Sequence, residues 1–245
     1  MKHYTASMRF DIITLFPELF EPFLRVGITR RAFEANADGH KMVDVRLVQL
    51  RDYAPGNYRR VDDRPFGGGP GMLMMAQPLA DCVDAVRADR GDTNSKAVPV
   101  ILFSPIGQRF DHALAARMAD ASSKGVILIC GRYEGIDQRF IDAYVTQQIS
   151  IGDFVLSGGE VAAMAVLDAV ARLQQGVLGD TQSHIQDSFN PALDGLLDCP
   201  HYTAPQEWRG VAVPPVLLSG NHAHIERWRS EQRRAVTAAH RPDLL

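Results

Sequence analysis

Short apolar runs alternate with amphipathic segments along most of the chain. Apolar runs at 9–16, 98–103 and 126–130, an alternating pattern at 43–50 and a β-rich run at 144–150 predict strands. Helical spacing of apolar residues follows at 78–90, 111–121, from 136, and at 160–174. Asp111 is a predicted helix N-cap, and Gly176 is a predicted helix stop. This alternation predicts an α/β fold, in which a mainly parallel sheet is covered by helices on both faces.

The pattern changes after residue 177. Residues 178–190 are polar and have no clear period, and long irregular connections of this kind are usually functional or linkers. We therefore predict a first domain at 8–177, a linker at 178–187 and a small C-terminal domain at 188–245. The last domain has one predicted amphipathic helix, from about His222 to Ala239.

Two glycine-punctuated loops each follow a predicted strand. Residues 131–137 come directly after the run at 126–130, and residues 151–160 come after the run at 144–150. A strand that ends in glycines before a helix lets a ligand approach the backbone closely. The sequence therefore predicts one ligand site between the two loops. A third glycine-dense stretch, at 66–72 in a polar segment predicted to be a loop (51–72), is either a flexible loop or a lid over a ligand.

Composition is that of an ordinary globular chain. Among 245 residues no apolar run approaches the ~18 that a membrane span needs, so we expect no membrane association. Residues 1–7 lack the apolar core of a signal peptide and resemble an added extension. The cysteines Cys82, Cys130 and Cys199 are far apart and odd in number, which favours reduced thiols and a cytoplasmic location.

The net charge of −3 conceals local clusters of arginine. The clusters are Arg30–Arg31; Arg59, Arg60 and Arg64; and Arg227, Arg229, Arg233 and Arg234. Such clusters suit contact with nucleic-acid phosphates. Because Glu226 and Glu231 lie among the last group, composition alone favours solvent-exposed helix faces over a nucleic-acid-binding surface. Common nucleotide and hydrolase motifs (GxGxxG, GxxxxGK[ST] and GxSxG) are absent from the sequence.

Several long motifs occur in a fixed order along the chain. They are VDDRPFGGGPGM at 61–72, CGRYEGID at 130–137, SIGDFVLSGGE at 150–160, GVLG at 176–179, LLDCPHYT at 196–203 and VPPVLLSGNH at 213–222. These motifs resemble those of the bacterial tRNA (guanine-N1-)-methyltransferases, of the SPOUT superfamily, and the resemblance runs from Ile12 to Pro242. The chain departs from the family at Phe154, where tyrosine is frequent, and at Ala162, where proline is frequent.

The resemblance implies a deep trefoil knot in the first domain, whose loops hold bent S-adenosylmethionine. The implied cofactor-binding residues are Ser104, Pro105, Gly107, Gly131, Tyr133, Glu134, Gly135, Ile151, Gly152, Asp153, Phe154, Val155, Leu156, Gly158 and Gly159. The backbone of 151–156 is expected to read the adenine edge, and Gly158 and Gly159 to leave space for the ligand. Tyr133 is expected to pack on the ligand, and Glu134 to offset its positive charge.

The implied reaction also needs a base and a cation. Guanine N1 carries a proton, which a general base must remove while negative charge develops at O6. The family pattern places the base at Asp187 and the cation at Arg172. Without the resemblance, Asp187 is more simply a helix N-cap and Arg172 a partner of a helix dipole. His184 is a rival base.

The resemblance further implies an obligate homodimer acting on the guanosine 3′ of the tRNA anticodon, with the Asp187 region of one subunit facing the cofactor loops of the other. Family members respond to magnesium, although no carboxylate cluster marks a dedicated metal site. Two alternatives remain open at this point. One is a SPOUT-type ribose 2′-O-methyltransferase, and the other is an RNA-binding module without turnover.

Overall fold

A computed structural model describes residues 8–37, 39–91, 98–120, 122–179 and 184–245. The chain divides into two compact units between Val177 and Leu178. Four sequence predictions fall wholly or partly outside the described residues. They are the extension at 1–7, most of a turn that the glycine and polar residues at 91–96 predict, the end of the helix at Ala121, and part of the linker, at 180–183.

The first unit is built on a five-stranded parallel sheet. The strands of this unit are β1 (Met8–Thr14), β2 (Val43–Gln49), β3 (Asp62–Asp63), β4 (Leu73–Met74), β5 (Val100–Arg109), β6 (Gly125–Ile129) and β7 (Gln147–Ser150), of which β3 and β4 lie outside the sheet as a separate hairpin. Its helices are α1 (Phe20–Arg25), α2 (Arg30–Phe33), α3 (Ala76–Asp89), α4 (His112–Ala119), α5 (Gln138–Tyr144) and α6 (Glu160–Arg172). The sheet order is β2-β1-β6-β5-β7, and every neighbouring pair is parallel. The predicted α/β class with a mainly parallel sheet is confirmed.

Both faces of this sheet are buried, as the apolar runs require. Successive residues of β1 and β6 point to opposite faces, so that Phe10 and Ile12 join one core while Ile13 joins the other. Helices α1, α2, α4 and α6 cover the first face, and α3 and α5 cover the second. A strand buried on both faces reads as a continuous apolar run, which is why these strands are visible in the sequence.

Strand β5 extends further than predicted, because it is interrupted rather than ended after Phe103. Phe103 and Gln108 both pair with Ile149 of β7, so the four residues between them are displaced from the ladder. Pro105 has no N–H to donate to a ladder, which favours a displacement at this point. The SPIG segment at 104–107 therefore projects from the sheet as a loop, and the strand resumes behind it.

Within the predicted loop at 51–72 the structure has regular elements that the sequence did not indicate. Residues Leu50–Tyr53 form a 3₁₀ helix, and β3 pairs with β4 as a short antiparallel hairpin. Strands of two residues are too short to show a hydrophobic period. The predicted cap at Asp111 is confirmed, because its side chain accepts a hydrogen bond from the Leu114 N–H (2.8 Å). Helix α6 ends before the predicted stop, at Arg172 with Leu173 as its C-cap, although Gly176 has the left-handed φ of 85° typical of helix ends.

The second unit contains a short hairpin and one long helix. The hairpin strands are β8 (Glu207–Trp208) and β9 (Val211–Ala212), and the helix is α7 (His222–His240), close to its predicted span. Thr237 of α7 is fully buried, and its hydroxyl accepts a hydrogen bond from the Leu197 N–H (3.1 Å). Among the described helices of both units, none combines the length and apolarity needed to cross a membrane.

Candidate active site

A cavity of about 390 Å³ opens where β5, β6 and β7 reach their carboxyl ends. Three segments wall it: the SPIG loop displaced from β5, the loop after β6 and the loop between β7 and α6. Ligands of open α/β sheets bind at this edge, and the size falls within the ~300–1,000 Å³ of small-molecule sites. The single site predicted between the two glycine loops corresponds to this cavity.

Most of the residues expected to bind a cofactor line this cavity. They are Ser104, Pro105, Gly131, Tyr133, Glu134, Gly135, Ile151, Gly152, Phe154, Val155, Leu156, Gly158 and Gly159. Gly107 and Asp153 are not among the described residues of the lining. A Cβ on Gly107 would overlap the backbone of Gln148 and Ile149, so this glycine lets the resumed β5 approach β7.

The two glycine loops are joined to each other directly. The Gly159 N–H donates to the Gly131 carbonyl at 3.0 Å. A Cβ on Gly159 would lie 2.8 Å from the Cα of Cys130, and a Cβ on Gly158 would overlap the Arg132 side chain. Protein atoms therefore occupy the space that Gly158 and Gly159 leave, and these glycines allow the two walls to pack.

Tyr133 and Glu134 connect the cavity to the β3–β4 hairpin. Tyr133 has a φ of 60°, a left-handed conformation that is uncommon for a residue other than glycine and is often found at functional sites. Burial and the neighbouring Asp62 raise the pKa of the Tyr133 phenol, so it stays protonated at neutral pH. The Glu134 N–H donates to the Met72 carbonyl at 3.0 Å, and the side chain of Glu134 packs against Gly71.

A buried polar cluster that sequence reasoning missed lies behind the glycine loops. The Thr14 hydroxyl donates to Oε1 of Glu160 at 2.8 Å, and Oε2 of Glu160 lies 2.9 Å from Nη2 of Arg132. Thr14 and Glu160 are almost wholly buried. The available signal was a glutamate at the start of an otherwise apolar helix, directly after two glycines. We call Thr14, Glu160 and Arg132 the wall triad.

Cys130 lies beside this triad but has no nucleophilic role. The residue is fully buried, and burial together with Glu160 raises the pKa of its thiol well above the ordinary value. The thiolate is therefore not formed near neutral pH. Cys82 and Cys199 are also buried free thiols, and burial raises the pKa of both.

The two expected catalytic residues lie in different units, and each has a defined local setting. Arg172 is the last residue of α6 and is half-buried, a position that suits the helix dipole. Asp187 is half-buried in a segment of turns. The following 3₁₀ helix, Pro191–Leu193, is capped by Asn190. The alternative role of Asp187 as the N-cap of this helix is therefore not supported.

The arginines of α7 divide into exposed and internal members. Arg227 and Arg234 are exposed. Arg233 is buried, and its Nη1 donates to Oε1 of Glu226 at 2.9 Å while its Nε lies 3.5 Å from Oδ1 of Asp198. Arg233 is thus part of the interior of this unit, and the phosphate-binding candidates on α7 are Arg227, Arg234 and the half-exposed Arg229.

One group of three close potential metal ligands occurs in the part of the chain that the structure describes: Asp198, Cys199 and His201. Magnesium prefers oxygen ligands, and a thiol and an imidazole do not provide them. Arg233 also places a positive charge beside Asp198. This group does not fit the magnesium ion that the resemblance implies, and we derive no step from that ion.

A parallel sheet with a glycine-walled cavity at its carboxyl edge defines a ligand-binding α/β protein. The profile of one family, described as tRNA (Guanine-1)-methyltransferase TrmD, matches residues 8–245. Curated relatives named tRNA (guanine-N(1)-)-methyltransferase include those of Paracidovorax citrulli (65% identical, covering 97% of this chain and 91% of the relative) and Albidiferax ferrireducens (66%, 97% and 92%). A relative from Burkholderia ambifaria is 50% identical over 98% of this chain and 87% of its own length. The chain therefore belongs to the tRNA (guanine-1)-methyltransferase family, and it is an enzyme of the methyltransferase class.

Proposed function

We propose that this enzyme transfers a methyl group from S-adenosylmethionine to N1 of the guanosine immediately 3′ of the anticodon in tRNA. The observation that carries the proposal is the match of the family profile along residues 8–245, together with relatives of the same name at 50–66% identity. Membership in a methyltransferase family disfavours an RNA-binding module without turnover.

The cavity has the chemistry that the cofactor requires. Apolar side chains of Ile136, Ile151 and Leu156 line it and suit an adenine ring, while the backbone ends of three strands supply amides and carbonyls. Glu134 places a carboxylate at the wall, which suits a sulfonium or an ammonium group. When bound, S-adenosylmethionine supplies an electrophilic methyl group, and these residues bind and orient it.

We assign Asp187 as the base that accepts the proton from guanine N1, and Arg172 as the cation that stabilises the negative charge at O6. A carboxylate accepts the N1 proton as the nitrogen attacks, and a guanidinium stabilises the negative charge that develops on the oxygen. The support is the family pattern at both positions, within the family match along residues 8–245. His184 is the alternative base.

The same proposal includes a trefoil knot within the cofactor-binding domain, residues 8–177. A linker at 178–187 joins this domain to a tRNA-binding domain at 188–245. The enzyme is proposed to be a homodimer, in which the Asp187 region of one subunit completes the active site of the other. Support for the knot comes from the family match along residues 8–245. A cytoplasmic location belongs here too, because three buried thiols are free and the proposed substrate is tRNA.

A methyl-transfer assay tests the proposal. The enzyme is incubated with labelled S-adenosylmethionine and unmodified tRNA transcripts, and the product is digested and mapped by mass. We expect N1-methylguanosine at the position after the anticodon, and no label in transcripts that have adenosine there. A methyl group on a ribose 2′-oxygen would instead identify the SPOUT-type 2′-O reaction.

A further inference from the structure

We propose that the wall triad is a positioning element of the methyltransferase site: it sets the separation of the two glycine walls and so determines the affinity of the cavity for the cofactor. This inference rests on the proposed function, because it assigns the cavity to S-adenosylmethionine. The three residues come from three segments far apart in the sequence, the end of β1, the loop after β6 and the start of α6.

Two members of the triad adjoin different parts of the cavity wall. Glu160 begins α6 and directly follows Gly158 and Gly159. Arg132 directly follows Gly131, and its Nη1 donates to the Ser157 carbonyl at 3.2 Å in the opposite loop. The Arg132 side chain therefore links the two loops, and Glu160 holds its other amino group. Arg132 itself lines the cavity.

Thr14 connects this pair to the sheet. Its hydroxyl accepts from the Phe16 N–H at 3.0 Å while it donates to Glu160. The guanidinium of Arg132 also lies 4.5 Å from the centre of the Phe16 ring, a cation–π distance. The end of β1 thus fixes both the carboxylate and the guanidinium, although neither Thr14 nor Phe16 lines the cavity.

The geometry is that of a spacer rather than an optimised ion pair. Nε of Arg132 and Oε2 of Glu160 are buried and make no directed hydrogen bond. A bidentate arrangement would satisfy both atoms. Gly158 leaves the space that this pair occupies, because a Cβ there would overlap both Arg132 and Glu160. The glycine loop and the Arg132–Glu160 pair therefore fix each other's position.

The test compares Thr14→Val with Thr237→Val in the full-length enzyme. Both threonines are fully buried, and each hydroxyl accepts from one backbone N–H and donates to one oxygen, but Thr237 bonds to Leu197 and Arg233 of the other unit. The probe is S-adenosylhomocysteine, with its Kd measured by calorimetry, alongside the Tm of each variant and the KM for tRNA.

We expect Thr14→Val to raise the Kd for S-adenosylhomocysteine on the order of tenfold, a typical effect of losing a group that orients a binding residue. The KM for tRNA should stay unchanged, and Thr14→Ser should restore the affinity. Thr237→Val should lower Tm without changing this Kd. If Thr14→Val does not fold, Arg132→Lys tests the same point, because it keeps the charge but cannot span Ser157 and Glu160.

Two results would overturn this inference without affecting the proposed function. One is that Thr14→Val and Arg132→Lys bind S-adenosylhomocysteine with the affinity of wild type. The other is that Thr237→Val weakens this binding as much as Thr14→Val does. Failure of the wild-type enzyme to bind S-adenosylhomocysteine would overturn the proposed function as well, so the two failures are distinguishable.

Discussion

Gly159 donates its N–H to the carbonyl of Gly131 at 3.0 Å, and this one bond joins the two loops that wall the cavity. The loops are 28 positions apart in the sequence, on either side of α5 and β7. Because both positions are glycine, the backbones approach without side chains between them. The close packing of these walls leads to the first prediction.

Gly159→Ala should separate the walls and weaken cofactor binding. Gly159 has φ −78° and ψ −6°, which alanine adopts readily, so backbone strain is not involved. Its new Cβ would lie 2.8 Å from the Cα of Cys130 and 3.2 Å from the Gly131 nitrogen. We expect a Kd for S-adenosylhomocysteine raised about tenfold or more, since a wall shift of even ~1 Å has large effects on a preorganised site.

Gly179→Ala is the matched control for that substitution. A Cβ there meets no atom within 4 Å, and its φ is not in the left-handed region. The control should bind S-adenosylhomocysteine as wild type does. Equal affinity of Gly159→Ala and wild type would show that the walls tolerate the extra carbon.

Asp187→Asn should slow methyl transfer by roughly 10²-fold or more, the usual scale for loss of a general base. Amide nitrogen and oxygen preserve the shape of the carboxylate but do not accept the N1 proton. The measurement is single-turnover transfer from labelled S-adenosylmethionine to tRNA, with S-adenosylhomocysteine affinity expected to be unchanged.

Asp194→Asn supplies the control for the base. Asp194 is an exposed aspartate of the same unit with a φ of 55°, which asparagine also adopts. Transfer by this variant should be near normal. Near-normal chemistry in Asp187→Asn would move the assignment to His184, which His184→Asn then tests.

Binding of tRNA should weaken steeply with salt, and the exposed arginines of α7 should carry part of that dependence. Replacing Arg227 and Arg234 with alanine should lower affinity and reduce the slope of log K against log salt by roughly 0.7–0.9 for each phosphate that the variant no longer neutralises. Titrations at several salt concentrations measure both quantities.

Arg25→Ala, an exposed arginine of α1, is the comparison variant. Its slope should match that of wild type. Arg233→Ala should behave differently from both, because Arg233 is buried against Glu226 and Asp198, and its loss should lower Tm. An unchanged slope in the double variant of Arg227 and Arg234 would show that this face of α7 does not contact tRNA phosphates.

Mixed dimers should recover activity if each site is completed by two subunits. An Asp187→Asn protein is mixed with Gly152→Trp, whose side chain would fill the cavity: Gly152 has a φ of 149°, and a Cβ there would lie 2.6 Å from the Phe154 ring. Each homodimer should be nearly inactive, whereas a mixed dimer contains one site with neither change.

Differently tagged chains confirm subunit exchange in that experiment. Methyl transfer should then reappear in the purified mixed species. Exchange without any return of activity would show that each site is built within one chain, contrary to the cross-subunit proposal.

Several features were determined by the sequence alone. The apolar runs of β1, β5 and β6 were visible because strands buried on both faces have few polar positions. Strand β2 was visible because its apolar and polar residues alternate. The Asp111 cap was visible because it acts through local backbone geometry. The family was visible because its motifs are long and occur in a fixed order.

Only the tertiary structure decided how the cavity wall is held. The displaced loop at 104–107 depends on the pairing of Phe103 and Gln108 with the same residue, Ile149, which no local pattern indicates. The roles of Gly158 and Gly159 depend on atoms of Cys130 and Arg132, and the wall triad depends on contacts between positions up to 146 residues apart. Local periodicity reports which face of an element is buried, whereas a contact between distant segments exists only after the chain has packed.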